Sequence, residues 1–212
     1  MATTTTHYGF DIPQSTDLVK DGATAIATLG QDIDTAMNTA LGTNKAGMVL
    51  LNTTSFSAVA SQSINDVFSA TYSNYKILVK AACSSATQLS LRMRVGGADL
   101  TSSSYMYGGA FVIFNGSTTP TGENTGGTSA GFNILDVDGN PGYARIEMFD
   151  PFATEQTGVI YDQVFNSGGS RNQGYWEAFS GLTTVTTSYT GFTLLPAAGN
   201  ITGTVSVYGY NK

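Results

Sequence analysis

The apolar positions of this chain change period once. Over residues 19–40, Val19, Ile26, Ile33 and Ala40 recur every seven residues, and Gly22, Leu29 and Ala36 fall between them. This 3-4 spacing places one apolar stripe along one side of a helix. Ser15 and Thr16 can cap that helix, Asp17 suits its first turn, and Gly42 with Thr43-Asn44 stops it. The pattern therefore predicts a helix over residues 15–42. Gly22 and Gly30 each cost about 1 kcal/mol relative to Ala, so the helix is expected to form on assembly rather than alone. Three heptads are short for an isolated coiled coil, and the stripe calls for partner copies or a large neighbour. The plainer alternative is an amphipathic helix packed on its own domain.

From Met48 onward the period becomes two. Tyr75, Ile77, Val79, Ala81 and Cys83 alternate with Lys76, Leu78 and Lys80. Leu89, Leu91, Met93 and Val95 alternate with Arg92 and Arg94 in the same way. The two runs, joined through Ser84–Thr87, predict a hairpin. A second hairpin is expected from 130–137 and 143–150 around Asp138-Gly139-Asn140-Pro141-Gly142. Further runs lie near 48–58, 64–70, 105–114, 157–165, 175–180, 190–196 and 201–210, whereas 115–129, rich in Gly and Thr, reads as a tip loop. Roughly eight to eleven short strands of this kind predict a jelly-roll-type β-sandwich. The expected organisation is an extended arm at 1–14, a helical segment at 15–42, a hinge at Gly42–Gly47 and a β-domain at 47–212.

Composition narrows the function classes. Only 11% of the 212 residues are charged, against roughly 25% in an ordinary soluble domain, and Thr, Ser, Gly and Asn replace them. Net charge is −6, and residues 1–44 carry five aspartates against Lys20 alone. With no basic stretch, no nucleic-acid partner is expected. No apolar run reaches the length of a membrane span, so no membrane insertion is expected. The start Met-Ala-Thr-Thr-Thr-Thr has neither the basic residues nor the apolar core of a secretory signal, which leads to the expectation of cytoplasmic synthesis without export.

Residues 7–34, His-Tyr-Gly-Phe-Asp-Ile-Pro-Gln-Ser-Thr-Asp-Leu-Val-Lys-Asp-Gly-Ala-Thr-Ala-Ile-Ala-Thr-Leu-Gly-Gln-Asp-Ile-Asp, resemble the N-terminal segment of many tailed-bacteriophage minor tail and fibre proteins. Residues 64–79, Ile-Asn-Asp-Val-Phe-Ser-Ala-Thr-Tyr-Ser-Asn-Tyr-Lys-Ile-Leu-Val, resemble the β-sandwich that often follows it. The resemblance covers about a fifth of the chain. It implies a virion structural protein whose arm and helix attach or trimerise and whose distal β-domain faces the environment; it implies no catalytic motif. Ile at a with Leu at d leans toward dimers, so the expectation of a homotrimer comes from the resemblance alone.

The expected oligomerisation residues are Val19, Ile26, Leu29, Ile33, Ala36 and Ala40. Tyr8 and Phe10, aromatic residues in a polar arm, are the candidates for docking on other virion proteins. Lys76, Lys80, Arg92 and Arg94 are expected to point outward together, either as a patch for anionic host glycans or as solvated charges paired with carboxylates. Tyr105-Met106-Tyr107, Tyr175-Trp176 and Tyr208 with Tyr210 suit a core or subunit interface and, less readily, sugar faces. Asp136-Val137-Asp138-Gly139-Asn140 begins like a calcium loop without its later ligands and reads as an Asp-Gly turn. His7 and Cys83 are single, so no His/Cys metal set or nucleophilic triad is expected, and no cofactor. Carboxylates at Glu123, Glu147, Asp150, Asp162 and Glu177 show no spacing that marks a glycosidase pair. The chain is thus expected to be a non-enzymatic tail-fibre or tail-tip component of the virion. A head fibre or capsid decoration protein is the alternative, with a glycan-cleaving enzyme behind it.

Overall fold

The computed structural model describes residues 3–6, 9–12, 19–41, 47–113, 121–167 and 173–210; side chains are described within these at 4–6, 9–10, 12, 21–40, 47–110, 130–165 and 177–210. Among the described residues the chain is mainly β with one helix, and it divides into two units, Met1–Gly47 and Met48–Lys212.

In the first unit, β1 (Thr3–Thr4) pairs antiparallel with β2 (Asp11–Ile12). Thr5 closes this small ribbon: its N–H donates to Phe10 O at 2.9 Å, and its hydroxyl accepts from Phe10 N at 2.9 Å. The arm is therefore not a single extended segment as expected, because Gly9 at φ +68° lets the chain reverse. Helix α1 runs over Val19–Leu41, inside the predicted span, and its 23 residues are about 34 Å long.

The second unit holds thirteen strands among the described residues: β3 (Met48–Val59), β4 (Gln62–Ile64), β5 (Asn74–Cys83), β6 (Thr87–Val95), β7 (Ala98–Asp99), β8 (Tyr105–Ile113), β9 (Thr121–Ser129), β10 (Phe132–Val137), β11 (Gly142–Phe149), β12 (Gly158–Ser167), β13 (Gln173–Thr183), β14 (Gly191–Pro196) and β15 (Ile201–Tyr210). They form two antiparallel sheets. One has eight strands in the order β3-β15-β5-β11-β12-β13-β8-β9; the other has the order β10-β6-β14-β4, with β7 beside β6. Four nested pairs organise the chain: β3 with β15, β4 with β14, β5 with β11, and β6 with β10. The remaining strands β12, β13, β8 and β9 extend the larger sheet past β11.

The period of two now has a physical meaning. Tyr75, Ile77 and Val79 of β5 and Ala144, Ile146 and Met148 of β11 enter one core from the larger sheet. Leu89, Leu91 and Met93 of β6, with Phe192 and Leu194 of β14, enter it from the smaller sheet. Aromatic contacts tie the layers: Phe68 meets Tyr75 edge-on at 4.8 Å and stacks with Phe192 at 5.9 Å.

Both expected hairpins are wrong. β5 and β6 lie in different sheets, as do β10 and β11. Each short connection is a corner that carries the chain from one sheet to the other, because the apolar sides of both strands must face the same core. The corners also touch: Cys83 N donates to Asp138 O at 2.6 Å. Residues 121–129, expected in a loop, form β9, while 114–120 lie outside the described residues. Strand β4 stops at Ile64, short of the run expected to 70. Val95, expected inside, is 42% exposed because β6 ends there in the Gly96-Gly97 turn. The expected hinge at Gly42–Gly47 lies outside the described residues except for Gly47.

At Gly203, on β15 beside the edge strand β3 of the larger sheet, a Cβ would lie 2.0 Å from the backbone oxygen of Lys80. Gly203→Ala should therefore lower stability by about 1–3 kcal/mol, read as a lower thermal midpoint. Gly139→Ala, with nothing within 4 Å of the added carbon, should stay within about 0.5 kcal/mol of wild type.

Candidate functional site

On α1 the apolar stripe is open. Ile26 is 66% exposed, and Ile33, Met37 and Ala40 are exposed as well. Leu29 and Ala36 are half-buried. Val19 opens the helix, but its side chain lies outside the described residues, as does Tyr8 entirely. Phe10 is half-buried beside the β1–β2 ribbon rather than isolated in solvent. The helix is long enough to display the predicted stripe, and the stripe is not enclosed.

The four cations expected on one face divide into two pairs. Lys76 and Lys80 stand on β5, on the outer face of the larger sheet; Arg92 and Arg94 stand on β6, on the outer face of the smaller one. The error follows from reading β5 and β6 as a hairpin. None of the four extends alone into solvent. Lys76 Nζ pairs with Glu147 at 3.1 Å, and Lys80 Nζ lies 5.8 Å from the ring centre of Tyr143. Arg92 Nε donates to Ala130 O at 2.8 Å. Arg94 is the most engaged: it pairs with Asp99, donates to Thr193 Oγ1 at 2.8 Å and Asn65 Oδ1 at 3.0 Å, and bonds Gly97 O. Thr193 also donates to Asp99 at 2.7 Å, so one guanidinium pins β6, β7 and β14 together.

The outer face of the larger sheet carries a continuous set of side chains that the sequence reading did not assemble. Arg145 of β11 makes a two-point contact with Asp162 of β12, at 2.9 and 2.8 Å. Beside it, Glu147 accepts from Tyr210 at 2.6 Å while holding Lys76. Burial, and then the Glu147 carboxylate, push the Tyr210 phenol up to about 12. Below these pairs lies a shallow groove of about 400 Å3, with Leu78, Tyr143 and Val164 as its apolar walls. Register brings these residues together: Arg145 faces Leu78 on one side and Asp162 on the other, and Tyr143 faces Lys80 and Val164. Cross-strand order is the signal that could have found them, and it is not written in the spacing along the chain.

Tyr105 is fully buried, its hydroxyl accepting from Met93 N at 2.9 Å and donating to Leu100 O at 3.0 Å. Burial raises its pKa well above the ordinary range. Tyr107 packs on the core, while Met106 points outward. The backbone of Tyr175 and Trp176 lies in β13, with their side chains outside the described residues. Asp138 Oδ1 accepts from Asn140 N at 2.7 Å, the bond of an Asp-Gly turn rather than of a calcium loop. Cys83 is buried and donates to Ala198 O. Among the carboxylates, Glu147 and Asp162 are ion-paired, and Glu177 is buried against Gln163, whose Oε1 accepts from Asp136 N at 2.7 Å. Asp150 sits at an exposed turn with φ 50°, and the side chain of Glu123 lies outside the described residues. Among the described residues no three His, Cys, Asp or Glu side chains are placed to hold a metal ion, and no helix is long and apolar enough to cross a membrane.

No family model, curated protein or solved structure matches the chain.

The Arg94 network sets this cation apart from the more exposed Lys80. Arg94→Ser should lower stability by about 2–3 kcal/mol, because Asp99 is left half-buried without its partner. Lys80→Ser, at an exposed site, should change stability by less than about 0.5 kcal/mol. Chemical denaturation of the two variants beside wild type measures both.

Proposed function

We propose that this chain is a bacteriophage virion structural protein, a trimeric tail-fibre or tail-tip component. Its first unit docks on other virion proteins and assembles the subunits, and its second unit is presented at the surface. Two things support the reading. One is the resemblance of residues 7–34 and 64–79 to phage minor tail and fibre proteins. The other, the observation that carries it, is the division at Gly47 between a β-unit with its own core and a helix whose apolar stripe is open at Ile26 and Ile33. An apolar stripe left in water is unfavourable, and identical helices meeting along it remove that cost.

The fold of the second unit is proposed to be a jelly roll. The nested pairs β3–β15, β4–β14, β5–β11 and β6–β10, wrapped into two sheets, support that assignment, with β8, β9, β12 and β13 as an extension of one sheet. Tyr8 and Phe10 are proposed as contacts to the virion. Host attachment is assigned to the outer face of the smaller sheet, which is polar and carries Arg92 and Arg94. Lys76 and Lys80 belong to the other face.

Gold-labelled antibody against the second unit should mark tail ends of intact particles. Labelling distributed over heads would replace this reading with that of a head fibre or decoration protein. Purified chain should scatter light as a trimer. Ile26→Asp combined with Ile33→Asp should lower that mass by placing charges in the seam. An unchanged mass would remove the helix as the assembly element.

A further inference from the structure

The two outer faces of the β-unit differ in kind. Ten large apolar side chains are exposed between residues 48 and 210 among the described residues, and nine of them stand on the outer face of the eight-stranded sheet. The tenth is Val95. The outer face of the smaller sheet presents Gln88, Ser90, Arg92 and Arg94 instead. An antiparallel sheet with one face in water ordinarily shows polar residues there, as the smaller sheet does.

The apolar residues lie in register across the strands. Met48, Phe149, Leu182 and Met106 fall in one row, since Met48 faces Tyr210, Tyr210 and Phe149 face Asn74, Phe149 faces Gly158, and Leu182 faces Gly158 and Met106. Leu50 and Ile160 fall in the next row, and Tyr143 with Val164 two rows beyond. Six strand spacings by six residues along β11 give a footprint of about 600 Å2 before side-chain relief is added. That approaches the roughly 800 Å2 that each partner contributes to a standard interface.

We infer that this face packs against another copy of the same chain. The charges decide the kind of partner. Lys76 with Glu147 and Arg145 with Asp162 neutralise each other within the face, and Lys80, over the Tyr143 ring, is the one cation left there without a carboxylate among the described residues, too little field to select a strongly charged surface. The matching surface is near-neutral and largely apolar, with polar groups already paired, and the chain itself supplies one. This deepens the assembly reading above and rests on it: the helices hold the first units together, and the larger sheets meet in the second units.

Ser180 lies in the row of Ile160 and is exposed in the single chain, and the thiol of Cys83 is buried. In the full-length protein, Ser180→Cys should react with a soluble thiol reagent at least tenfold more slowly than Gln88→Cys on the opposite face. Ile160→Lys combined with Leu182→Lys should lower the light-scattering mass while keeping a cooperative thermal transition. If the double variant does not fold, the cysteine rates decide. Equal rates at 180 and 88 in a protein of oligomeric mass overturn the interface and leave the helix reading standing. A monomeric mass at all concentrations overturns both. Protection at 180 that persists when Ile26→Asp and Ile33→Asp leave the mass unchanged supports the interface and removes the helix from assembly.

Discussion

The insertion of β15 between β3 and β5 is the pairing on which the rest of the β-unit depends. It joins the last described strand to the first strand of the unit along nearly its whole length, and the same strand lines the core with Val205 and Val207. Without it, β3 has no partner and β5 keeps only β11. Pairings of this sequence separation close large loops before they yield contacts, which makes such a topology slow to form and cooperative once formed. Glycine at 203 belongs to this constraint, because β15 passes so close to Lys80 that no side chain fits.

Once the two sheets share a core, their outer faces are free to differ, and they do. The smaller sheet is finished with arginines held by hydrogen bonds to Ala130, Asp99 and Thr193. The larger sheet is finished with aliphatic and aromatic side chains around two ion pairs. Paired charges inside an apolar surface lose less on desolvation than isolated ones would, so this face is suited to being covered. The stripe on α1 is the same problem in helical form. Both units thus leave apolar side chains open among the described residues, the kind of surface that association would cover.

This arrangement also bears on chemistry. Of the five carboxylates singled out along the chain, three are engaged: Glu147 by Lys76 and Tyr210, Asp162 by Arg145, Glu177 by Gln163. These three side chains thus tie neighbouring strands of the larger sheet to one another.

What the sequence determined by itself was local. The seven-residue spacing marked α1, and alternation sorted Tyr75, Ile77 and Val79 from Lys76, Leu78 and Lys80, because side-chain direction follows from backbone period alone. Burial of Leu89, Leu91, Met93, Val205 and Val207 was legible for the same reason. Which strand lies beside which was not. Ser84–Thr87 and the Asp138-Gly139 turn reverse the chain equally well within a sheet or between sheets, and only the shared core selects the second. The sharing of one face by Lys76, Lys80, Arg92 and Arg94 fell with that choice, and so did any prior view of Arg145 beside Asp162, seventeen residues away. The outer apolar face is built from residues scattered between 48 and 182 that alternation marks only as outward. Tertiary pairing alone decided that they meet, since cross-strand register is fixed by long-range packing and leaves no spacing in the chain.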